Sequence, residues 1–182
     1  MELETDGKFV ELLQPSEKAL SEESLHQLAS DLIKNLRQKQ LQIGVAESCS
    51  GGWIAKLITD VAGCSDVFQG SLVTYSNVAK QKLLGVSPAG IDTYGAVSRE
   101  VVCEMAAGVL RVLPADCSVA VSGVAGPGGG SEQKPVGTVW ICWQLKDVSV
   151  AHRFVFDGDR ESIRRATCYC ALEGMRQWLV TG

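Results

Sequence analysis

The segment Ala46-Glu47-Ser48-Cys49-Ser50-Gly51-Gly52 sets hydroxyls, a thiol and a carboxylate side by side. It lies where an alternating run, Leu41 to Val45, gives way to Trp53, Ile54, Leu57, Ile58 and Val61 at helical spacing. That change of period predicts a strand, a tight loop and a helix. The first N–H groups of a helix lack intrahelical partners and its dipole favours negative charge, so the Ser48 hydroxyl would face an oxyanion hole. Gly51 and Gly52 would let a substrate approach the backbone closely, as phosphate loops do. Glu47, Cys49, Ser50, Gly51 and Gly52 are therefore candidate substrate contacts around a nucleophilic Ser48. The segment is neither the Gly-x-Ser-x-Gly elbow nor a Walker loop. The structural alternative is a strand-to-helix turn with Ser48 as a plain N-cap.

A serine nucleophile needs a base. The chain has 2 histidines, His26 and His152, on a helix near the start and a strand near the end, so lysine is the better source. Tyr75-Ser76-Asn77-Val78-Ala79-Lys80 opens a second strand-to-helix junction, and neighbouring parallel strand ends would bring Tyr75 and Lys80 beside Ser48. A lysine half-buried among apolar residues loses its charged form, so its pKa can fall from ~10.4 toward neutrality and it can take the serine proton. Asn77 is a candidate substrate contact at the same junction. Lys82 competes for the role of base, and a solvated helix lysine is the structural alternative for either. Cys49 reads as a core thiol, because a thiolate would need a nearby cation or histidine to lower its pKa.

The third element is the run from Ser122 to Thr138, with 6 glycines after a strand and no bulky core-forming stretch. Backbone N–H groups at Gly123, Gly126, Gly128, Gly129 and Gly130 could reach a phosphate or sugar, Ser122 could add a hydroxyl, and Lys134 a point charge. A flexible connector is the alternative, but Pro127 and Pro135 restrict the run and suggest a shaped loop.

The elements that must position these residues alternate along the chain. A helix from Ser21 carries Leu25, Leu28, Ala29, Leu32 and Leu36; strands read at Leu41–Val45, Ser71–Tyr75, Ser118–Val121, Thr138–Trp143 and Val150–Phe156. Further helices read at Asn77–Leu84, closed by Gly85, after a Ser98 cap, and at the end after Asp159. The order predicts one α/β domain, a sandwich with a mixed sheet flanked by helices, over 21–182. Residues 1–20 read as an arm whose Phe9, Val10, Leu12 and Leu13 dock elsewhere.

The whole chain of 182 residues has a net charge of −4, with 17 basic against 21 acidic residues and no basic stripe, which argues against nucleic acid. The acidic, polar start is unlike a signal peptide and no apolar run reaches membrane-span length, so a cytoplasmic protein without a membrane partner is expected. The 7 cysteines are spread out and odd in number, which reads as reduced thiols. No metal site is expected, since the histidines and cysteines lack ligand spacing.

Together these segments resemble the CinA C-terminal domain family, whose stand-alone members include a nicotinamide mononucleotide deamidase. The resemblance rests on Ala46–Gly52, Val73–Lys80, Gly95-Ala96-Val97-Ser98, Ser122–Pro127, Lys134–Trp140 and Gly158-Asp159-Arg160, and covers about residues 22–180. It implies an amidohydrolase acting on a nucleotide in pyridine nucleotide salvage, with Ser48 as nucleophile, Lys80 as base, Tyr75 as third member, and no cofactor. Ser50 stands where relatives often carry threonine, and Val78 where they often carry an acidic residue. A small nucleotide is the expected partner, and a homo-oligomer, a dimer first, the expected assembly. The other reading is a nucleotide-binding module of the same family without turnover.

Overall fold

The computed structural model describes residues 13–181. A short 3₁₀ turn at Glu17–Leu20 precedes α1, Glu22–Lys39. Ser21 caps α1 by accepting from the Ser24 amide, Glu22 and Glu23 sit in its first turn, and Gln40 ends it in the left-handed conformation. Its buried stripe is Leu25, Leu28, Ala29, Leu32, Ile33 and Leu36. After it come β1 (Ile43–Glu47), α2 (Trp53–Thr59), a 3₁₀ turn at Cys64–Asp66 and β2 (Phe68–Val73). The remaining elements are α3 (Asn77–Leu84), α4 (Pro88–Tyr94), α5 (Arg99–Val112), β3 (Cys117–Gly123), β4 (Thr138–Leu145), β5 (Val148–Val155) and α6 (Arg160–Thr181). Among the described residues no helix is long and apolar enough to cross a membrane.

The sheet is mixed, in the order β2-β1-β3-β4-β5. β1 pairs in parallel with both β2 and β3, and β3-β4-β5 is an antiparallel meander. A strand with parallel neighbours on both sides is covered on both faces, and every residue of β1 is buried. On one face lie α1, α2 and α6, packed over Ile43, Val45, Val119 and Trp143. The Trp143 ring lies under Gly174 of α6 and its Nε1 donates to the Ala171 carbonyl at 2.8 Å. On the other face lie α3, α4 and α5, over Ala46, Ala120 and Cys142. At Gly108 of α5 a Cβ would stand 2.3 Å from the Leu84 carbonyl oxygen, so only glycine lets α5 press onto the end of α3.

The chain leaves β1 toward β2 on one side and returns to β3 on the other, which makes the β1/β3 boundary a topological switch point. A crevice outside the carboxyl ends of those strands is where open α/β sheets bind ligands.

The mixed α/β architecture matches the sequence expectation, with differences at boundaries. β2 ends at Val73 rather than Tyr75, because Glu47 is the last residue of β1 and pairs with Val73. Helix α4 is an addition: Ser87 caps it and Pro88 opens it, but only Gly90 and Ile91 are buried, too few to mark a stripe. Leu13 is docked, fully buried beside Cys170, whose thiol donates to its carbonyl. Phe9, Val10 and Leu12 lie outside the described residues.

Candidate active site

The carboxyl ends of β1, β2 and β3 open on one small cavity of about 190 Å³. Ser48 follows β1 directly and its amide donates to the Val121 carbonyl at 3.1 Å, which ties it to the end of β3. Side chains alternate across a sheet, so the residue before it, Glu47, points to the α2 face and Ser48 to the α3 face.

Lys80 arrives from that second face. Ser76 caps α3 by accepting from the Ala79 amide, and one turn later the Lys80 side chain runs inward, 1% exposed. Its Nζ donates to Ser48 Oγ at 2.9 Å and to the Thr74 carbonyl at 2.8 Å. That carbonyl is available because β2 has already ended; the Thr74 amide makes the last rung, to the Glu47 carbonyl at 2.8 Å. Burial lowers the Lys80 pKa from its ordinary value; a charge on the neighbouring Cys49 would act the other way. Lys82 is exposed on the outer side of α3, so the lysine against the serine is Lys80.

Cys49 lines the same cavity, but burial pushes its thiol up to about 12, which keeps it protonated. Asn77, Ser122 and Gly123 also line it, as do Ala96 and Val97 from the connection between α4 and α5. Ser122 Oγ donates to the Ala96 carbonyl at 2.7 Å and fixes that wall. Tyr75 stands at the mouth, 61% exposed, and its hydroxyl accepts from Arg160 Nη2 at 3.0 Å rather than meeting the Ser48–Lys80 pair. Arg160 Nη1 donates to the Gly126 carbonyl at 2.7 Å, so one guanidinium bridges two walls.

The oxyanion hole expected at the start of the helix is not there. Glu47, fully buried, takes those amides: Oε2 accepts from Gly52 and Ile54 at 2.9 and 3.1 Å and Oε1 from Ala55 at 2.9 Å. A carboxylate satisfies the helix start better than a distant substrate could, which is why the amides turn away from Ser48. The amides of Cys49 and Ser50 remain, and their dipoles favour negative charge at the Cys49 sulfur, against burial.

Several predicted contacts lie elsewhere. Ser50 Oγ is buried on Glu47 Oε2 at 2.7 Å. Gly51 and Gly52, at φ of 63° and 93°, make the left-handed turn into α2 and line a separate cavity of about 660 Å³ with Trp53 and Arg164. Gly126 reaches the site through its carbonyl, whereas Gly128, Gly129 and Gly130 are exposed and do not line the cavity. Lys134 donates to the Tyr94 carbonyl at 2.7 Å, behind the Ala96 wall. Arg160 had no role in the sequence reading, although a cation in the first turn opposes the helix dipole and so calls for an explanation.

The CinA C-terminal domain family matches residues 25–179. The chain is 48% identical over 162 residues to the nicotinamide-nucleotide amidohydrolase PncC of Enterobacter agglomerans, covering 88% of this chain and 99% of that protein. To the protein of the same name from Escherichia coli K12 it is 43% identical over 159 residues, 87% and 96% of the two chains. The crystal structure of the competence/damage inducible protein CihA from Agrobacterium tumefaciens superposes with a TM-score of 0.83 at 41% identity, covering 86% and 96%.

Proposed function

The chain belongs to the CinA C-terminal domain family, and on that premise we propose that it is an amidohydrolase converting nicotinamide mononucleotide to nicotinate mononucleotide and ammonia. The observation that carries the reading is the buried Lys80 amine 2.9 Å from Ser48 Oγ. A binding module gains nothing from desolvating a lysine against a serine, whereas a hydrolase needs that pair.

The steps follow from the geometry. Neutral Lys80 keeps one N–H on the Thr74 carbonyl and takes the Ser48 proton as Oγ attacks the carboxamide carbon. The oxyanion that forms is met by the amides of Cys49 and Ser50, the two that follow the nucleophile. Collapse breaks the C–N bond, and protonated Lys80 gives its proton to the leaving nitrogen, which departs as ammonia. Water then attacks the ester on Ser48, Lys80 takes its proton, the C–O bond to Ser48 breaks, and Oγ recovers its proton from Lys80 as nicotinate mononucleotide leaves. No metal or cofactor takes part in this scheme.

A cavity of about 190 Å³ has room for the pyridine ring and its carboxamide, which would leave ribose and phosphate at the mouth. Arg160 is the cation that stands there, between Tyr75 and the Gly126 carbonyl. We assign it, with the Gly123–Gly126 part of the glycine-rich loop, to the 5′-phosphate. A charge-assisted bond contributes about 1.5–3 kcal/mol, so removing either partner should cost roughly 10- to 150-fold in efficiency. Nicotinamide riboside should therefore react at least tenfold less efficiently than the mononucleotide in an ammonia-release assay, and Arg160→Ala should bring the two close together. Equal efficiency for both substrates in the unmodified protein refutes the phosphate assignment.

A further inference from the structure

Glu47 is the most heavily bonded side chain near the site, yet it does not line the cavity. Besides the amides of Gly52, Ile54 and Ala55 it accepts from Ser50 Oγ at 2.7 Å and from Ser71 Oγ of β2 at 3.0 Å. Five donors converge on one fully buried carboxylate, and none of the ion pairs among the described residues includes it. Burying a charge in this way is costly unless the donors are held in place, so the arrangement is rigid or it does not form.

A helix cap alone does not call for this. The N-cap position of α2 is Gly52, which makes no side-chain cap, and a serine or aspartate there is the usual solution. A capping group on the preceding strand does something a local cap cannot. It ties the end of β1, the 48–52 turn, the first turn of α2 and β2 to one point adjacent in sequence to Ser48. From outside, Arg164 Nη2 donates to the Ser50 carbonyl at 2.7 Å and holds the same turn from α6. The Gly51 amide donates to the Ser48 carbonyl at 3.1 Å and closes it.

We infer that Glu47 is a positioning residue for the nucleophile: through its five bonds it fixes the backbone at Ser48 so that Oγ stays on Lys80. The inference rests on the hydrolase reading above. It replaces the substrate contact that the sequence suggested for Glu47.

A misplacement of about 1 Å at a reacting group costs on the order of 100-fold in rate. In Glu47→Gln the amide nitrogen must face backbone N–H donors, so the turn has to move. Steady-state ammonia release from nicotinamide mononucleotide, with thermal melting of each variant, tests this. The expected result is kcat lower by about 100-fold with KM within about threefold, in protein that melts well above the assay temperature. Ser71→Ala removes one bond and keeps the charge; it should lower kcat severalfold with KM unchanged, and it decides the matter if Glu47→Gln does not fold. A raised KM with kcat intact would return Glu47 to substrate binding and overturn the inference, as would wild-type kcat in a folded Ser71→Ala together with a folded Glu47→Gln. Where Glu47→Gln does not fold, wild-type kcat in Ser71→Ala alone overturns it. Unmodified protein that releases no ammonia removes the hydrolase reading, and this inference with it.

Discussion

Ser48→Ala is expected to abolish ammonia release, by a factor on the order of 10³ to 10⁶, while leaving the melting temperature nearly unchanged. The hydroxyl is the only group lost, and among the described residues its side-chain partner is Lys80 Nζ. Removing it leaves the Thr74 carbonyl on the amine and every bond of Glu47 in place. The neighbouring Cys49→Ala is the control: a thiol held protonated by burial cannot replace the serine, so that variant should keep most of its turnover. Turnover retained in Ser48→Ala, or lost in Cys49→Ala alone, would move the nucleophile by one residue.

Lys80→Met and Lys80→Arg should both be inactive to a similar degree, the first because no base remains and the second because a guanidinium does not give up its proton. The pH dependence carries a separate signature. The Lys80 pKa in the fold lies below its ordinary value, so over the interval between the two the unfolded chain binds a proton that the folded chain does not. Stability then rises with pH through that interval, and the contribution is lost as pH falls through the folded pKa. The difference in melting temperature between the unmodified protein and Lys80→Met should accordingly move in favour of the unmodified protein as pH is raised toward 10. Activity should rise over the same acid limb. A melting difference that is flat with pH would mean that Lys80 is as readily charged in the fold as in water.

The contact between Ser48 and Lys80 was legible because each half sits at a change of period, where a strand gives way to a helix, and parallel strand ends must lie together. Lys80 could be distinguished from Lys82 only by which side of α3 faces the sheet, and the short stripe of that helix does not settle it. Glu47 was expected beside the substrate and lies instead under the start of α2, for a related reason. A carboxylate at the end of a strand looks the same in sequence whether it points into a ligand crevice or under the neighbouring helix; the alternation of β1 decides, and its first residue is set by pairing with β2 and β3. Gly128 to Gly130 shared their composition with Gly123 and Gly126 but not their tie to β4, where the Val124 amide donates to the Thr138 carbonyl at 2.8 Å. Composition indicates that a loop can approach a ligand, and only the hydrogen bonds at its base show which part lies beside the crevice.

The carboxylate at the start of α2 has a consequence for how this crevice meets an anion. A helix start already neutralised by a buried negative group offers no fixed dipole to a phosphate, and screening does not reach such a buried pair. On the proposed function the attraction is left to an exposed arginine on α6, open to the solvent ions. At 0.15 M ionic strength a charge in that position is felt over only about 8 Å. On the proposed function, capture of the nucleotide should thus depend on the salt around the protein, while the bond-breaking chemistry beneath it, among groups shielded from those ions, should not.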